Sequence, residues 1–198
     1  MRYFPHMFLF LVCLTLTGGC GGRVPLLQEL APLPPDAGCR VAVLPFVNRG
    51  DYPGGNELLY KVFTSELAGP GKFHLVNEAD ILKVYQQLAI FPTRMADENQ
   101  MQVIASRLGV TLFIGGDILR MTERPSGNEV HTEMSVVIRL YEGKTGDILW
   151  ETYHKRRGRD YKSVLHFGQI NTVAGLAKQM VREIIDLWNK NGLTACGE

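Results

Sequence analysis

The sequence predicts an α/β domain built on one mixed sheet, with its elements in the order β-α-β-α-α-β-β-β-α. Three observations carry this expectation. Strand-like apolar runs alternate with helix-period stripes through the first half of the chain. Three strand runs then follow one another closely, joined by segments of turn composition. A long amphipathic stretch closes the chain. The sheet is expected to be parallel in its first part and antiparallel in its last three strands, with helices packed on it.

Each element has its own signal. Arg40 to Val47 (RVAVLPFV) is a buried-strand run in which Pro45 marks an edge position or a bulge. Asn48 to Gly55 is a polar, glycine-rich loop. Asn56 is placed to cap a helix through Ala68, with Leu59, Val62, Phe63 and Leu67 on one face, and Gly69-Pro70-Gly71 stops it. Phe73 to Val76 is a short strand. Asn77 with Asp80 resembles a capping box for a helix over 78–90 that uses Ile81, Val84, Tyr85 and Leu88. Asp97 caps a third helix, which Gly109 ends. Val110 to Met121 is mostly apolar, and Val130 to Leu140 alternates, with Val130, Met134, Val136, Ile138 and Leu140 on one face. Asp147 to His154 is the last strand. A helix from about Val164 to Asn189 carries the stripe Ile170, Val173, Ala177, Met180, Val181, Ile184 and Trp188, and Gly192 stops it.

Upstream of the domain the chain reads as an export segment. Arg2 is the single charge before Cys20, and Met7 to Leu16 is a run of ten that is apolar but for Thr15. That is the length of a signal-peptide core and about half of what a spanning helix needs. Thr17-Gly18-Gly19-Cys20 resembles the lipobox of bacterial lipoproteins, with Leu16 one position earlier than the usual leucine. The resemblance implies cleavage after residue 19, lipidation of Cys20 and a hold on the membrane through acyl chains. Gly21, where an Asp would retain the protein at the inner membrane under the enterobacterial sorting rule, points to the outer membrane with the domain facing the periplasm. Residues 20–38 form a proline-rich tether, expected to be extended around Pro25, Pro32, Pro34 and Pro35. Its leucines, Leu26, Leu27, Leu30 and Leu33, either cover a patch of their own domain or dock on a neighbouring subunit. The folded domain is then 39–198. Cys39 and Cys196 flank it in polar segments, and export to an oxidising compartment predicts a disulfide between them.

Composition excludes several functions. Without residues 1–19 the chain carries 20 basic and 20 acidic side chains, so no global field draws it to nucleic acid. No catalytic set emerges, and the protein is expected not to be an enzyme and to need no cofactor. Gly143-Lys144-Thr145 imitates the end of a phosphate-binding loop, but Ile138 stands where its leading glycine belongs, so it reads as a hairpin turn. His131-Thr132-Glu133 matches part of a zinc-deaminase signature with no cysteine pair behind it, hence an exposed strand face. The histidines at 6, 74, 131, 154 and 166 lack metal-ligand spacing. Asp117, behind Gly115-Gly116 in an apolar strand, reads as a hydrogen-bonded acid at a bulge or strand end. The one notable charge cluster is His154-Lys155-Arg156-Arg157-Gly158-Arg159. Lys155, Arg156, Arg157 and Arg159 form a candidate patch for lipid headgroups, an anionic polysaccharide or an acidic partner. The alternative is a solubilising run on an edge strand.

Arg40–Asn48 (RVAVLPFVN), Ala105–Gly116 (ASRLGVTLFIGG) and Val136–Trp150 (VVIRLYEGKTGDILW) occur in this order. Together they resemble the periplasmic α/β lipoproteins related to the curli secretion protein CsgG. That group also includes LpoB-type activators of penicillin-binding proteins and PelC-type polysaccharide-export lipoproteins. The resemblance covers most of residues 39–190. It implies an anticodon-binding-domain-like fold, as in the N-terminal domain of TolB, together with non-enzymatic assembly work and often a ring-shaped homo-oligomer. CsgG itself carries long pore hairpins, and the short link between Met121 and Val130 leaves no room for them, so no self-made barrel is expected. Two functions follow. The first is a scaffold or accessory subunit in envelope secretion and assembly, working on envelope protein partners. The alternative is an LpoB-like regulator that binds and activates a peptidoglycan synthase.

Overall fold

The computed structural model describes residues 24–35, 40–69, 73–127, 129–163 and 168–193. Cys20, Cys39 and Cys196, and with them the lipidation and disulfide expectations, lie outside the described residues, as does the export segment 1–19. The strands are β1 (Leu26–Glu29), β2 (Arg40–Val43), β3 (Val47–Asn48), β4 (His74–Leu75), β5 (Leu112–Ser126), β6 (Glu129–Glu142) and β7 (Ile148–Arg157). The helices are α1 (Gly55–Leu67), α2 (Glu78–Gln87), α3 (Glu98–Leu108) and α4 (Val173–Lys190), with a 3-10 turn at Gly158–Tyr161.

All seven strands form one sheet in the order β1-β7-β6-β5-β2-β4, with β3 pairing β5 beside β2. β2 runs parallel to β4 and β5, whereas β5, β6, β7 and β1 are antiparallel. The expected mixed sheet is therefore present, with two differences: the run Arg40–Val47 is broken around Pro45 into β2 and β3, and one strand is added upstream. The proline-rich segment contributes β1, which pairs Leu26–Glu29 with Tyr153–Trp150. The sheet thus begins inside the stretch read as tether, upstream of residue 39. Leu27 and Leu33 pack on the domain's own core, while Leu26 and Leu30 stay exposed.

Two helical layers cover different parts of the sheet. Helices α1 and α4 lie over one face with Phe46, Phe63, Met134, Ile138, Trp150 and Trp188 at the centre. The Trp188 indole donates to Thr152 Oγ1 at 2.7 Å, and Trp150 meets its edge with ring centroids 6.3 Å apart. On the other face α2 and α3 pack over Ala42, Leu44 and Phe113, near β2 and the start of β5.

Local chemistry explains the boundaries. Asp97 and Gln100 form the reciprocal box that starts α3, and Gly109, at φ 63°, ends it. Asn77 caps α2 by accepting from the Ala79 N–H, so the expected Asn77–Asp80 box is replaced by a simple cap. Asn56 does not cap α1; Gly54, in a left-handed conformation, occupies the cap. The last helix starts later than its apolar stripe suggests, because Thr172 accepts from Gly175 and sets the first turn at Val173. Ile170 precedes that helix and is tied to the sheet: its carbonyl accepts from Thr132 Oγ1 at 2.7 Å, and its N–H donates to the Gly158 carbonyl at 3.1 Å. A Cβ at Gly158 would lie 1.8 Å from the Ile170 carbonyl oxygen, so only glycine allows this crossing.

The open face of the β5–β7 sheet

Alternation along β5, β6 and β7 divides their side chains between two faces. Met134, Val136, Ile138, Trp150, Thr152, His154 and Arg156 point under α4 and α1 and are buried. Their neighbours form a face that none of the four helices seals. One row across it is Leu26, Tyr153, Val137 and Asp117; the next is Gln28, Glu151, Arg139 and Gly115. In the opposite direction come Lys155, Ser135 and Arg120, then Arg157, Glu133 and Thr122, then His131 and Arg124. Leu26, Leu119 and Tyr153 are exposed at 70%, 44% and 40%, so apolar side chains stand among the charges of this face.

The face is held by two cross-strand ion-pair ladders. In the first, Arg139 donates to Asp117 at 2.7 Å and to Glu151 at 2.6 Å, and Arg49 donates to Asp117 at 2.9 Å. Partial burial pushes the Asp117 carboxyl up, but hydrogen bonds from Arg139 and Arg49 outweigh it and hold the group below the usual carboxylate range. Asp117 sits at the end of the β3 pairing, just before the bulge between Ile118 and Arg120. That is the bonded acid the sequence suggests. In the second ladder Glu133 lies 3.1 Å from Lys155, 3.4 Å from Arg120 and 3.8 Å from Arg157. Here too burial raises and the cations, Lys155 first, lower the carboxyl, with a net depression.

Beyond Glu133 the surface dips into a cleft of about 310 Å³ whose walls include Arg120, Arg124, His131, Arg157, Arg159 and Gln169. Among the described residues Arg124 and Arg159 have no carboxylate partner.

The predicted cationic patch is therefore split. Lys155 and Arg157 reach the open face, and Arg159 joins Arg157 at the cleft. Arg156 turns inward with His154. Both contact Glu183 of α4, His154 Nε2 at 2.6 Å and Arg156 Nε at 3.2 Å, and the Arg156 guanidinium lies 5.2 Å from the centre of the Tyr161 ring. Burial raises the Glu183 carboxyl, but hydrogen bonds led by His154 and Gln179 bring it down to about 2. A strand places consecutive cations on opposite faces, which the spacing of Arg156 and Arg157 already implies. Arg120, Arg124 and Arg139 escape notice in the sequence because only the strand register brings them beside this cluster. His131 is exposed, as expected, whereas Thr132 is buried against Ile170. Gly143-Lys144-Thr145 is a turn between β6 and β7. No group of His, Cys, Asp and Glu among the described residues is placed to hold a metal ion, and no described helix is long and apolar enough to cross a membrane.

The fold is shared with solved structures of low sequence identity. The PelC dodecamer subunit from Paraburkholderia phytofirmans superposes with a TM-score of 0.50 at 12% identity, over 81% of this chain and 95% of that one. The lipoprotein GNA1162 from Neisseria meningitidis does so with a TM-score of 0.54 at 15% identity, over 76% and 98%. No curated protein matches the sequence. Within this fold the chain belongs to the family of the peptidoglycan-synthase activator LpoB, whose model matches residues 43–155.

Proposed function

We propose that this protein is an envelope lipoprotein that binds and activates a peptidoglycan synthase, docking its partner on the open face of β5–β7. The observation that carries this reading is membership of the LpoB family over residues 43–155, a stretch holding all of β5 and β6 and most of β7. Membership favours the activator over the broader scaffold reading, for which the PelC subunit offers likeness of fold alone. On this view the chain acts by contact: Asp117, Glu133 and Arg139 are committed to cross-strand pairs, and no nucleophile–base set accompanies them. The apolar row Leu26–Tyr153–Val137, flanked by charges on both sides, has the make-up of a docking centre with a polar rim. Cys20 supplies the membrane hold, Gly21 favours the outer membrane, and a Cys39–Cys196 bridge closes the domain. Kinship with the CsgG-related lipoproteins rests on the three sequence segments that resemble them.

The test is a glycan-polymerisation assay with a peptidoglycan synthase from the same bacterium. The protein is expected to raise the polymerisation rate and to bind the synthase saturably. Tyr153→Ala combined with Leu26→Ser should abolish both effects without unfolding the domain. A rate and an affinity indifferent to the protein would reject the activator reading; stimulation that survives the double substitution would reject this face as the docking site.

A further inference from the structure

We infer that the arginine cleft at the end of the open face is a binding site for the phosphate headgroups of membrane lipids, and that it seats the domain against the bilayer beside its own anchor. The inference goes beyond the synthase reading and rests only on the lipidation of Cys20 proposed with it.

Charge is the first argument. The cleft brings together Arg120, Arg124, Arg157 and Arg159 against a single lining carboxylate, Glu133, on a chain whose formal net charge is only +1. Glu133 is already shared among Arg120, Lys155 and Arg157, and Arg124 and Arg159 have no carboxylate of their own among the described residues. Guanidinium groups present forked donors that match phosphate oxygens, so unpaired arginines around a concavity of about 310 Å³ suit a phosphate better than a flat cationic surface would. Thr122 and Gln169 line the same cleft and add neutral polar groups.

Chain direction is the second argument, and it selects the source of the phosphate. β1 runs antiparallel to β7 with Leu26 opposite Tyr153. The N-terminal end of β1 therefore lies on the side of Lys155 and Arg157, the arginine end of the sheet. Cys20 precedes Leu26 by six positions, a reach of at most about 20 Å. Arg157 lies four residues beyond Tyr153 on β7, roughly 13 Å along the strand. Because residues 26–29 are zipped into the sheet, the tether does not act as a free spacer up to residue 38. An acyl group on Cys20 would bring the bilayer surface to the end of the domain where the arginines are unpaired. Free phosphate or an acidic protein gains nothing from that placement, whereas a membrane phosphate is held beside the cleft by the anchor.

Vesicle flotation tests this. The full chain with Cys20→Ala, so that no acyl group contributes, is mixed with phosphatidylcholine vesicles with and without about 30 mol % phosphatidylglycerol. The ratio of the two partition constants cancels whatever the apolar N-terminal run adds. The wild-type cleft is expected to favour anionic vesicles by about tenfold or more, and each arginine removed should cost about fivefold. Arg124→Ala with Arg159→Ala should nearly erase the preference, Arg124→Lys with Arg159→Lys should keep most of it, and Lys83→Ala with Arg94→Ala, on the α2 side, should leave it intact. All four sites are exposed, and matching thermal melts would show the fold unchanged. A preference that survives loss of Arg124 and Arg159, or falls equally with Lys83 and Arg94, overturns the inference. Calorimetry supplies the two rival ligands. Arginine-dependent binding of inorganic phosphate without vesicle preference overturns it in favour of a free anion, and the same outcome with poly-glutamate overturns it in favour of an acidic protein.

Discussion

The two faces of the β5–β6–β7 sheet are built from alternate residues of the same strands and meet opposite fates. On one side Trp150, Thr152, His154 and Arg156 are sealed under α4. On the other Glu151, Tyr153, Lys155 and Arg157 face solvent and bind one another in ladders. Both faces carry charge, so composition does not distinguish them. The difference lies in what the charges are for. Inside, Glu183 reaches down from α4 and satisfies His154 and Arg156 in a largely buried setting, so the network ties helix to sheet. Outside, Asp117, Arg139 and Glu151 bridge strands that the backbone ladder already joins, and leave a surface free to be covered by something else.

The largest expected effect is on the sealed side. Trp188→Ala removes a fully buried ring that contacts Trp150 and Phe63 and donates to Thr152. It should cost about 3–5 kcal/mol, seen as a drop in the denaturation midpoint at unchanged slope. A cost near that of an exposed substitution would mean the two faces are not energetically distinct.

The second prediction separates charge inside from charge outside by pH. Glu183 titrates at about 2 in the folded chain against an ordinary 4.5, so its contribution is full above about pH 5 and is lost as the pH falls through 4.5 toward 2. The shift corresponds to at most about 3 kcal/mol. Glu183→Gln should therefore flatten the acid limb of the stability curve and lower stability near neutral pH by about 2–3 kcal/mol. Equal acid sensitivity in wild type and variant, measured by urea titration across that range, would show that the sealed network contributes no more than a surface pair. Arg139→Met makes the matching test outside. With its side chain only 22% exposed it should cost about 1 kcal/mol, between the buried network and a free surface pair, and added salt should reduce the difference.

How far this contrast is readable in the sequence depends on the range of the interactions. The alternation of Met134, Val136, Ile138 and Leu140 identifies the buried face of β6 without help, because period-two patterning is local. Asp97 and Gly109 bound α3 for the same reason. β1 is invisible: Leu26–Glu29 lies among prolines, and its ladder partners are more than a hundred residues away in β7. The start of α4 is misjudged because Ile170 fits the apolar stripe but is held to Gly158 and Thr132 instead. The cationic cluster shows both limits at once. Its alternation is local and is the signal that separates Arg156 from Arg157, which reading the four cations as one patch overlooks, and the arginines that complete the cleft, Arg120 and Arg124, arrive only through the register of β5 on β6.

The smallest effect on stability carries the most about function. Tyr153 and Trp150 lie on the same strand, on opposite faces, at 40% and 2% exposure. Tyr153→Ala removes an aromatic ring that rests on a bare sheet, so unfolding should shift by no more than about 0.5 kcal/mol. If the open face is where a partner docks, however, the same substitution removes an amphipathic aromatic at the centre of that contact, the residue type that dominates interface energetics, at a cost of about 2 kcal/mol or more in binding. A synthase titration read beside a thermal melt keeps the two apart. Lost binding with an intact melt marks a surface kept bare for a partner. An intact affinity would move the docking site off this row, and a melt lowered as far as that of Trp188→Ala would mean the face is sealed after all.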